Sequence, residues 1–219
     1  RAGDALAIIG PSGGGKSSLL RGELAVLPCS SGSARLDGAT LDQWDHQQRG
    51  EVVGYLPQNV QLFDGTIAEN ICRFNDPIDS DAVLRAAELC GVHNLITQLH
   101  DGYNTRVGPL GHQLSAGQVQ RIGLARAVFD MPFLVVLDEP NAHLDAEGEM
   151  LLNKTIAALR ANGSIVMVAA HRKSALAATN KALLLVGGEV KMCGDRDTVL
   201  NYLPKKQPAT NGGLRVVGS

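Results

Sequence analysis

Short continuous apolar runs alternate along this chain with stretches in which apolar residues recur at helical spacing. The continuous runs are ALAIIG (5–10), FLVVL (133–137), IVMVAA (165–170) and ALLLV (182–186), and each has the length of a strand. Strands that are apolar throughout are typical of parallel sheets covered on both faces. Their alternation with helices predicts an α/β fold with a mostly parallel, doubly wound sheet flanked by helices.

Periodicity, capping residues and turn residues predict the remaining elements. Further strands are expected at 33–41, at 51–58, and on both sides of a Gly187–Gly188 turn. Residues 101–113 are expected to form a loop. Helices are expected at 16–27, 66–74, 80–92 with Asp79 or Ser80 as N-cap, 93–99, 119–129, 145–163 ended by Gly163, 172–179 and 195–203.

Charge and cysteine content exclude several classes of protein. The net charge is −2, so the chain offers no basic field suited to nucleic acid. The four cysteines are scattered without CxxC spacing, which favours reduced thiols of a cytosolic protein over a disulfide framework or a zinc site. No secretory signal or membrane-length apolar run is visible.

A glycine-rich loop follows the first predicted strand and opens the first predicted helix. GPSGGGKS (10–17) matches the pattern GxxxxGK[ST] in its required strand–helix context. The glycines allow backbone N–H groups to surround an anion, and the helix N-terminus adds partial positive charge. We expect Lys16 to reach the β- and γ-phosphates of a nucleotide and the Ser17 hydroxyl to ligate Mg²⁺.

Two adjacent acids end the apolar strand at 133–138. We expect Asp138 and Glu139 to lie at the carboxyl edge of the sheet, where α/β proteins bind ligands. Asp138 suits a water bound to Mg²⁺, and Glu139 suits a general base that polarises an attacking water. Adjacent acids after a strand are also common as solvated turn residues, so the assignment depends on the nearby phosphate loop.

Because of these motifs, the chain resembles the nucleotide-binding domain of ATP-binding cassette (ABC) transporters. GPSGGGKS resembles Walker A, Gln58 in YLPQ resembles the Q-loop, and LSAGQ (114–118) resembles the family signature. FLVVLDE resembles Walker B, NAHLD (141–145) the D-loop, and His171 the switch histidine. The motifs stand in the family's order, and flanking features extend the resemblance over most of the chain.

The resemblance implies ATP and Mg²⁺ as ligands and a composite site made by two copies. Two domains of this family enclose two ATP molecules head to tail, and the signature of one copy closes over the γ-phosphate held by the other. Ser115, Gly117 and Gln118 would then act in trans, although a serine before a helix is also a common N-cap. The residues implied to contact nucleotide are Gly10, Pro11, Ser12, Gly13, Gly14, Gly15, Lys16, Ser17, Ser18, Ser115, Gly117, Gln118 and Asp145.

The remaining roles are also carried by the resemblance. Gln58 is implied to contact Mg²⁺ or the lytic water and to report to a membrane domain, and His171 is implied to hold the γ-phosphate and orient Glu139. Asp145 is implied to line the dimer interface, and it is equally expected as a helix N-cap. The implied catalytic residues are therefore Glu139, His171 and Gln58, and the implied metal-binding residues are Ser17, Gln58 and Asp138.

The family pattern also divides the chain. Residues 1–75 and 125–203 are expected to form the P-loop catalytic core, with an inserted helical subdomain at 76–124 that carries the signature. Residues 204–219 are expected to form a flexible tail. The abrupt start is typical of a fragment: the antiparallel strands and the adenine-stacking aromatic of the family lie upstream of Walker A, where this chain has nine residues.

Two motifs also depart from the family pattern. The signature has Ala116 where glycine is commonest and Val119 where a polar residue is usual. The D-loop has Asn141 and His143 where small residues are typical.

Exporter-like segments narrow the resemblance further. YLPQNVQLFDGTIAENI (55–71), and Gly108 and Gly111 in the loop before the signature, resemble exporters. Together with LDGATLDQW (36–44), they look most like the ATPases of type I secretion systems, which export proteases and lipases. The implied partners are a second copy, an exporter membrane domain fused upstream, a periplasmic adaptor and an outer-membrane channel. The implied location is the cytoplasmic face of the inner membrane.

Two alternatives remain open at this stage. ABC ATPases of DNA repair and chromosome maintenance divide the cassette with coiled coils, but no heptads separate the two Walker motifs here. A degenerate cassette that only clamps ATP usually lacks the glutamate or the histidine, whereas this chain has Glu139 and His171.

Overall fold

A six-stranded sheet forms the centre of the protein. The computed structural model describes residues 1–24, 31–36, 38–40, 43–109, 111, 113–170 and 176–202. Numbered in chain order, the strands of the sheet are β1 (Ala5–Ile9), β4 (Val53–Leu56), β7 (Leu134–Asp138), β8 (Ile165–Ala169), β9 (Lys181–Val186) and β10 (Glu189–Asp195). Their order is β10-β9-β1-β8-β7-β4, and every pair is parallel except β10 with β9.

Helices and two short ribbons complete the described part of the chain. The ribbons pair β2 (Arg35–Leu36) with β3 (Ala39–Thr40) and β5 (Gly65–Thr66) with β6 (Arg106–Val107). The helices are α1 (Lys16–Glu23), α2 (His46–Val52), α3 (Ile67–Ile71), α4 (Ser80–Leu89), α5 (His93–Thr97), α6 (Ala116–Val128), α7 (Ala146–Ala161) and α8 (Arg196–Tyr202). Within these ranges, no helix has the length and apolar character that crossing a membrane requires.

Alternation along the strands sorts apolar side chains onto two covered faces. Ile8 of β1 and Val136 of β7 pack with Leu20 of α1 on one face. The neighbouring strand residues belong to a larger buried cluster that includes Ile122 of α6 and Ile156 of α7. Burial on both faces explains why these strands are apolar throughout. The predicted α/β class with a mostly parallel sheet is confirmed.

The same large cluster extends into the helical stretch of the chain. Buried residues of α3, α4 and α5 pack into one core with those of the sheet. Helix α6 runs across the expected boundary at residue 124. The division into a catalytic core and a helical subdomain stays a prediction.

Most predicted elements are present, and two local predictions are wrong. The stretch predicted as a strand at 51–58 begins as the end of α2, whose N-cap Asp45 accepts from Gln48 N, and only Val53–Leu56 is strand. The loop predicted at 101–113 contains a 3₁₀ turn at Gly102–Asn104 and strand β6. Of the helix predicted at 172–179, residues 172–175 lie outside the described residues, Leu176 has 3₁₀ conformation and residues 177–178 form a turn, so this helix stays a prediction.

Two cap predictions are confirmed by backbone and side-chain geometry. Asp79 is the N-cap of α4, and its carboxylate accepts from Ala82 N at 2.9 Å. Helix α7 ends at Ala161 and is followed by Gly163 with φ of 88°, a left-handed conformation that favours glycine. The tail predicted at 204–219 lies outside the described residues.

An arginine joins the end of α6 to the start of β4. The Arg73 guanidinium donates to the carbonyl oxygens of Arg126, Ala127 and Phe129, and also to those of Gly50 and Val53. Loss of hydration, with a smaller contribution from Arg126, lowers the pKa of Arg73 to about 10, so the side chain stays charged at neutral pH. A cation at the C-terminal end of a helix is favourable. Arg73 therefore fixes α6 against the sheet edge.

The backbones of β4 and α6 approach closely at Gly54, so a larger residue there should destabilise the protein. A Cβ atom on Gly54 would lie 1.8 Å from the carbonyl oxygen of Ala127. Gly54→Ala should therefore lower the free energy of unfolding by about 1–3 kcal/mol, the usual cost of overpacking. Urea denaturation measures this change.

Gly50 provides the matched control, because it lies in α2 and a Cβ there would meet open space. Gly50→Ala should raise the free energy of unfolding by up to about 1 kcal/mol through helix propensity. Equal effects of the two substitutions would contradict the packing described here.

Candidate functional site

The glycine-rich loop between β1 and α1 is shaped by close backbone contacts. Gly10, Gly13 and Gly15 have φ of 155°, 73° and 94°, values that favour glycine. A Cβ on Gly10 would lie 2.0 Å from the carbonyl oxygen of Leu185, and one on Gly14 would lie 2.9 Å from that of Pro11. The loop therefore requires glycine for both conformation and space. The exposed residues of this segment are Pro11, Ser12, Gly13 and Ser18.

The loop leads directly into the N-terminus of α1. Gly15 is the N-cap of this helix and provides no side-chain hydrogen bond to its first turn. Backbone N–H groups at a helix start that lack a side-chain partner are suited to an anion. The backbone of this loop is compatible with phosphate binding, which stays a prediction.

The turn between β9 and β10 packs against the glycine-rich loop. Gly188 N donates to Gly14 O at 3.1 Å, and Leu185 of β9 lies against Gly10. Both turn glycines have positive φ, 59° at Gly187 and 80° at Gly188. Sequence reasoning predicted the turn but not this contact.

Lys16 lies at the centre of the loop with its charge directed inward. Its side chain is nearly buried, and Nζ donates to Gly10 O at 3.1 Å and to Pro11 O at 3.0 Å. Burial lowers the pKa of Lys16, whereas the nearby carboxylates of Glu139 and Asp138 raise it. An ammonium held this way is available to bind phosphate oxygens that enter the loop.

Ser17 and Asp138 meet at the carboxyl edge of the sheet. Ser17 Oγ donates to Asp138 Oδ1 at 2.9 Å, and the aspartate is fully buried. Among the described residues, Asp138 Oδ2 has no hydrogen-bond partner. A buried carboxylate oxygen left unpaired beside a hydroxyl fits the oxygen ligands that Mg²⁺ prefers. The residues present are therefore compatible with the predicted ion.

Glu139 occupies a strained backbone position immediately after β7. Its φ is 53°, which is uncommon for a residue other than glycine. Glu139 N donates to Ala169 O at 2.8 Å, and Glu139 O accepts from Ala142 N at 3.0 Å. These bonds hold the turn that directs the chain into residues 140–145. Glu139 therefore lies beside Asp138 at the same edge as the glycine-rich loop.

Strand register brings the remaining predicted residues towards this edge. Leu56 pairs with Leu137 across β4 and β7, so Gln58 follows at the level of the acids and is exposed. Asp138 pairs with Ala169 across β7 and β8. His171 follows shortly after β8 but lies outside the described residues. The roles of Gln58 and His171 stay predictions.

The start of α6 forms a capping box. Ser115 Oγ accepts from Gln118 N at 3.3 Å, and Gln118 Oε1 accepts from Ser115 N at 2.7 Å. Ser115 is exposed and Gly117 is partly buried. The N-cap interpretation is thus confirmed, and it leaves the exposed Ser115 able to meet another molecule. The trans roles of Ser115, Gly117 and Gln118 stay predictions.

Helix α6 contacts the segment that follows Glu139. Gln120 Nε2 donates to Pro140 O at 3.1 Å, and Arg121 pairs with Asp145 Oδ1 at 3.1 Å. Asp145 also accepts from Gly148 N at 2.8 Å as the N-cap of α7, and this bond is the main reason its pKa is lowered. The N-cap role predicted for Asp145 is confirmed. Gln120 and Arg121 were not singled out from the sequence.

An aromatic patch lies on the surface beyond β4, and we define it as Phe63, Phe74 and Arg126. The two rings are 59% and 45% exposed and meet edge to face with centroids 6.1 Å apart. The Arg126 guanidinium lies 5.1 Å from the Phe63 centroid. Buried Asn70 holds Phe63 in place, because its amide bonds both Phe63 N and Phe63 O. Exposed rings at a fixed position are typical of protein interfaces.

Comparison with known proteins gives a consistent result. A family model described as ABC transporter matches residues 1–142. The type I secretion system ATP-binding protein PrsD of Rhizobium meliloti (strain 1021) is 51% identical over 218 residues, covering 99% of this chain and 38% of PrsD. The cyclolysin secretion/processing ATP-binding protein CyaB of Bordetella pertussis (strain Tohama I / ATCC BAA-589 / NCTC 13251) is 34% identical over 90% of this chain and 28% of CyaB.

A solved structure of a bacterial Atm1-family ABC exporter with ATP bound is also similar. It superposes with a TM-score of 0.82 at 30% identity, over 92% of this chain and 35% of that chain. The present chain therefore spans well under half the length of each of these three proteins.

The pairing of Ser17 with Asp138 predicts a metal-dependent effect. Ser17→Ala and Asp138→Asn should each weaken the Mg²⁺ dependence of nucleoside triphosphate binding, by roughly 10–100-fold in apparent metal affinity. Binding measured in the presence of a chelator should change much less. Titration calorimetry with and without Mg²⁺ separates the two quantities.

Ser80→Ala and Asp81→Asn are suitable controls, because both residues are exposed on α4. A normal Mg²⁺ dependence in the Ser17 and Asp138 variants would contradict the assignment of a metal site.

Proposed function

Because this chain belongs to the ABC transporter family, we propose that it binds and hydrolyses ATP to power a membrane exporter in type I protein or peptide secretion. The observation that carries this proposal is the 51% identity to a type I secretion ATP-binding protein over 99% of this chain. The geometry supports it, since the glycine-rich loop, the buried Asp138 and Glu139 lie at one edge of the sheet.

Nucleotide binding begins at the glycine-rich loop. The free N–H groups at the start of α1 bind phosphate oxygens, and Lys16 exchanges its bonds to Gly10 O and Pro11 O for the β- and γ-phosphates. Ser17 and Asp138 would hold Mg²⁺ at this edge. The bound ion would neutralise charge on the phosphates. We assign Gln58 to the same ion or to the lytic water.

Hydrolysis requires a base next to the γ-phosphate. Glu139 accepts the proton of the attacking water, and the turn fixed by Ala169 O and Ala142 N holds its backbone. His171, two residues after β8, orients Glu139 and contacts the γ-phosphate in this proposal. The nucleophilic oxygen forms the new bond to phosphorus as the bond to ADP breaks.

A second copy of the chain completes each site. Ser115 and Gly117 of one copy, at the exposed start of α6, close over the γ-phosphate held by the other copy. Gln118 stabilises this start through the capping box. Small residues and a positive helix end suit close approach to phosphate.

The aromatic patch is the surface that we assign to the membrane domain. Its exposed rings are held by Asn70 and Arg126, so a partner meets a fixed apolar surface. We place that domain upstream in the same polypeptide, with the present chain on the cytoplasmic face of the inner membrane. A periplasmic adaptor and an outer-membrane channel complete the secretion pathway in this proposal. Nucleic acid is not among the proposed partners.

Removal of the proposed base tests the hydrolytic step. Glu139→Gln should lower ATP turnover by roughly 10²–10⁴-fold, because a general base contributes about that much. ATP binding should persist and ATP-bound dimers should accumulate. Phosphate release and light scattering measure the two effects.

Glu147→Gln in the first turn of α7 changes an exposed acid in the same way and should leave turnover unchanged. Near-normal turnover of Glu139→Gln would refute the assignment of the base.

Mixing two inactive variants tests whether Ser115 acts in trans. Lys16→Ala should abolish nucleotide binding, and Ser115→Arg should spare binding to the monomer while preventing ATP-driven dimers. A dimer of one chain of each variant has both lesions in one site and leaves the other site intact. Nucleotide should therefore be trapped at one site per mixed dimer, as measured with labelled ATP.

A purely local role for Ser115 predicts a different outcome. Loss of an N-cap lowers stability by about 1 kcal/mol and leaves association intact. ATP-driven dimers of Ser115→Arg alone would therefore contradict the trans role.

A further inference from the structure

One face of α6 holds the start of that helix against the segment that follows Glu139. Gly117, Gln120 and Arg121 have the spacing i, i+3, i+4, which places them on one side of the helix. All three contact residues 140–145, which we call the post-acid segment. The two elements therefore meet along the first two turns of α6.

Backbone proximity establishes the first contact. A Cβ on Gly117 would lie 3.1 Å from the carbonyl oxygen of His143, a residue that itself has φ of 61°. The first turn of α6 thus packs closely on a left-handed turn of the post-acid segment. Little room remains for either element to shift alone.

Two polar contacts fix the register between the elements. Gln120 is 3% exposed, and its amide donates to Pro140 O at 3.1 Å, directly after Glu139. The Arg121 side chain is 19% exposed and pairs with Asp145, whose carboxylate also caps α7. The post-acid segment is therefore attached to α6 at both of its ends.

The two connected elements serve different ATP sites in the proposed head-to-tail dimer. Glu139 acts at the site held by its own glycine-rich loop, whereas Ser115 acts at the site held by the partner copy. Within one chain, the contacts of Gln120 and Arg121 connect the surroundings of these two groups. Displacement of the segment behind Glu139 would be transmitted to the start of α6.

We propose that Arg121 and Gln120 are positioning residues that keep the start of α6 in register with the post-acid segment, so that one chain presents both to its partner as a single surface. This inference rests on the proposed function and adds to it a physical link between the two ATP sites. The Arg121–Asp145 pair is the testable part, because a Gln120 variant leaves a buried carbonyl unpaired and risks misfolding.

The test uses the Glu139→Gln chain, in which ATP-bound dimers are expected to accumulate. Arg121→Gln removes the charge, and Asp145→Asn removes its partner while keeping a side chain that caps α7 well. Each should raise the ATP concentration for half-maximal dimerisation by roughly 5-fold or more, the lower end of ordinary coupling between sites. The double variant should show the same shift as either single variant, because both remove one interaction.

Further measurements separate positioning from a general loss of structure. In Arg121→Gln, ATP binding to the monomer and the urea midpoint should stay close to those of the parent chain, and Arg121→Lys should recover part of the dimerisation. Arg85→Gln, an exposed arginine on α4, is the matched control and should cause no shift.

Several outcomes would overturn the proposal. These are an unchanged ATP concentration for dimerisation in Arg121→Gln, additive shifts in the double variant, or a shift that only follows a lower urea midpoint. Absence of ATP-driven dimers in the parent Glu139→Gln chain would instead count against the proposed function, and the inference would be withdrawn with it.

Discussion

The contact on which the site depends is the partly buried hydrogen bond from Ser17 to Asp138. A fully buried carboxylate is costly unless its oxygens are paired, and here one oxygen has Ser17 while the other is available for a cation. The contact joins the first turn of α1 to the end of β7, two elements far apart in sequence. It is possible because the parallel strands β1, β8 and β7 end at one edge. The parallel sheet therefore brings the glycine-rich loop and Asp138 together at one edge.

Helix α6 contacts residues 140–145 at one end and carries part of the aromatic patch at the other. Its first turns contact residues 140–145 through Gln120 and Arg121, and its last turn is held by Arg73 and by the stacking of Arg126 on Phe63. Helix α6 therefore spans the distance from the aromatic patch to the segment behind Glu139.

Sequence reasoning identified the parts of this arrangement that are local in the chain. The glycine-rich loop, the apolar strands and the cap residues Asp79, Ser115 and Asp145 each follow from short-range geometry, and the structure places them as expected. The strand predicted over 51–58 was partly wrong because Val52 and Val53 form one apolar run across a helix end and a strand start. Strand β6 was missed because its pairing with Gly65–Thr66 is not local.

The contacts that link elements were harder to predict. Arg73 donates to backbone carbonyl oxygens in α2, β4 and α6, and to that of Phe129 after α6. No rule of residue spacing predicts this combination of acceptors. The face formed by Gly117, Gln120 and Arg121 was visible as i, i+3, i+4 spacing, but its partner segment depends on how β7 ends. His171 stays a prediction from the sequence.

A structure of the Glu139→Gln chain with ATP and Mg²⁺ tests the central claim most directly. We expect two chains head to tail around two ATP molecules. Each γ-phosphate should lie between Lys16 of one chain and Ser115 of the other, with the metal beside Ser17 and Asp138. A nucleotide enclosed by one chain alone, or a dimer in which Ser115 lies away from the partner's nucleotide, would contradict it.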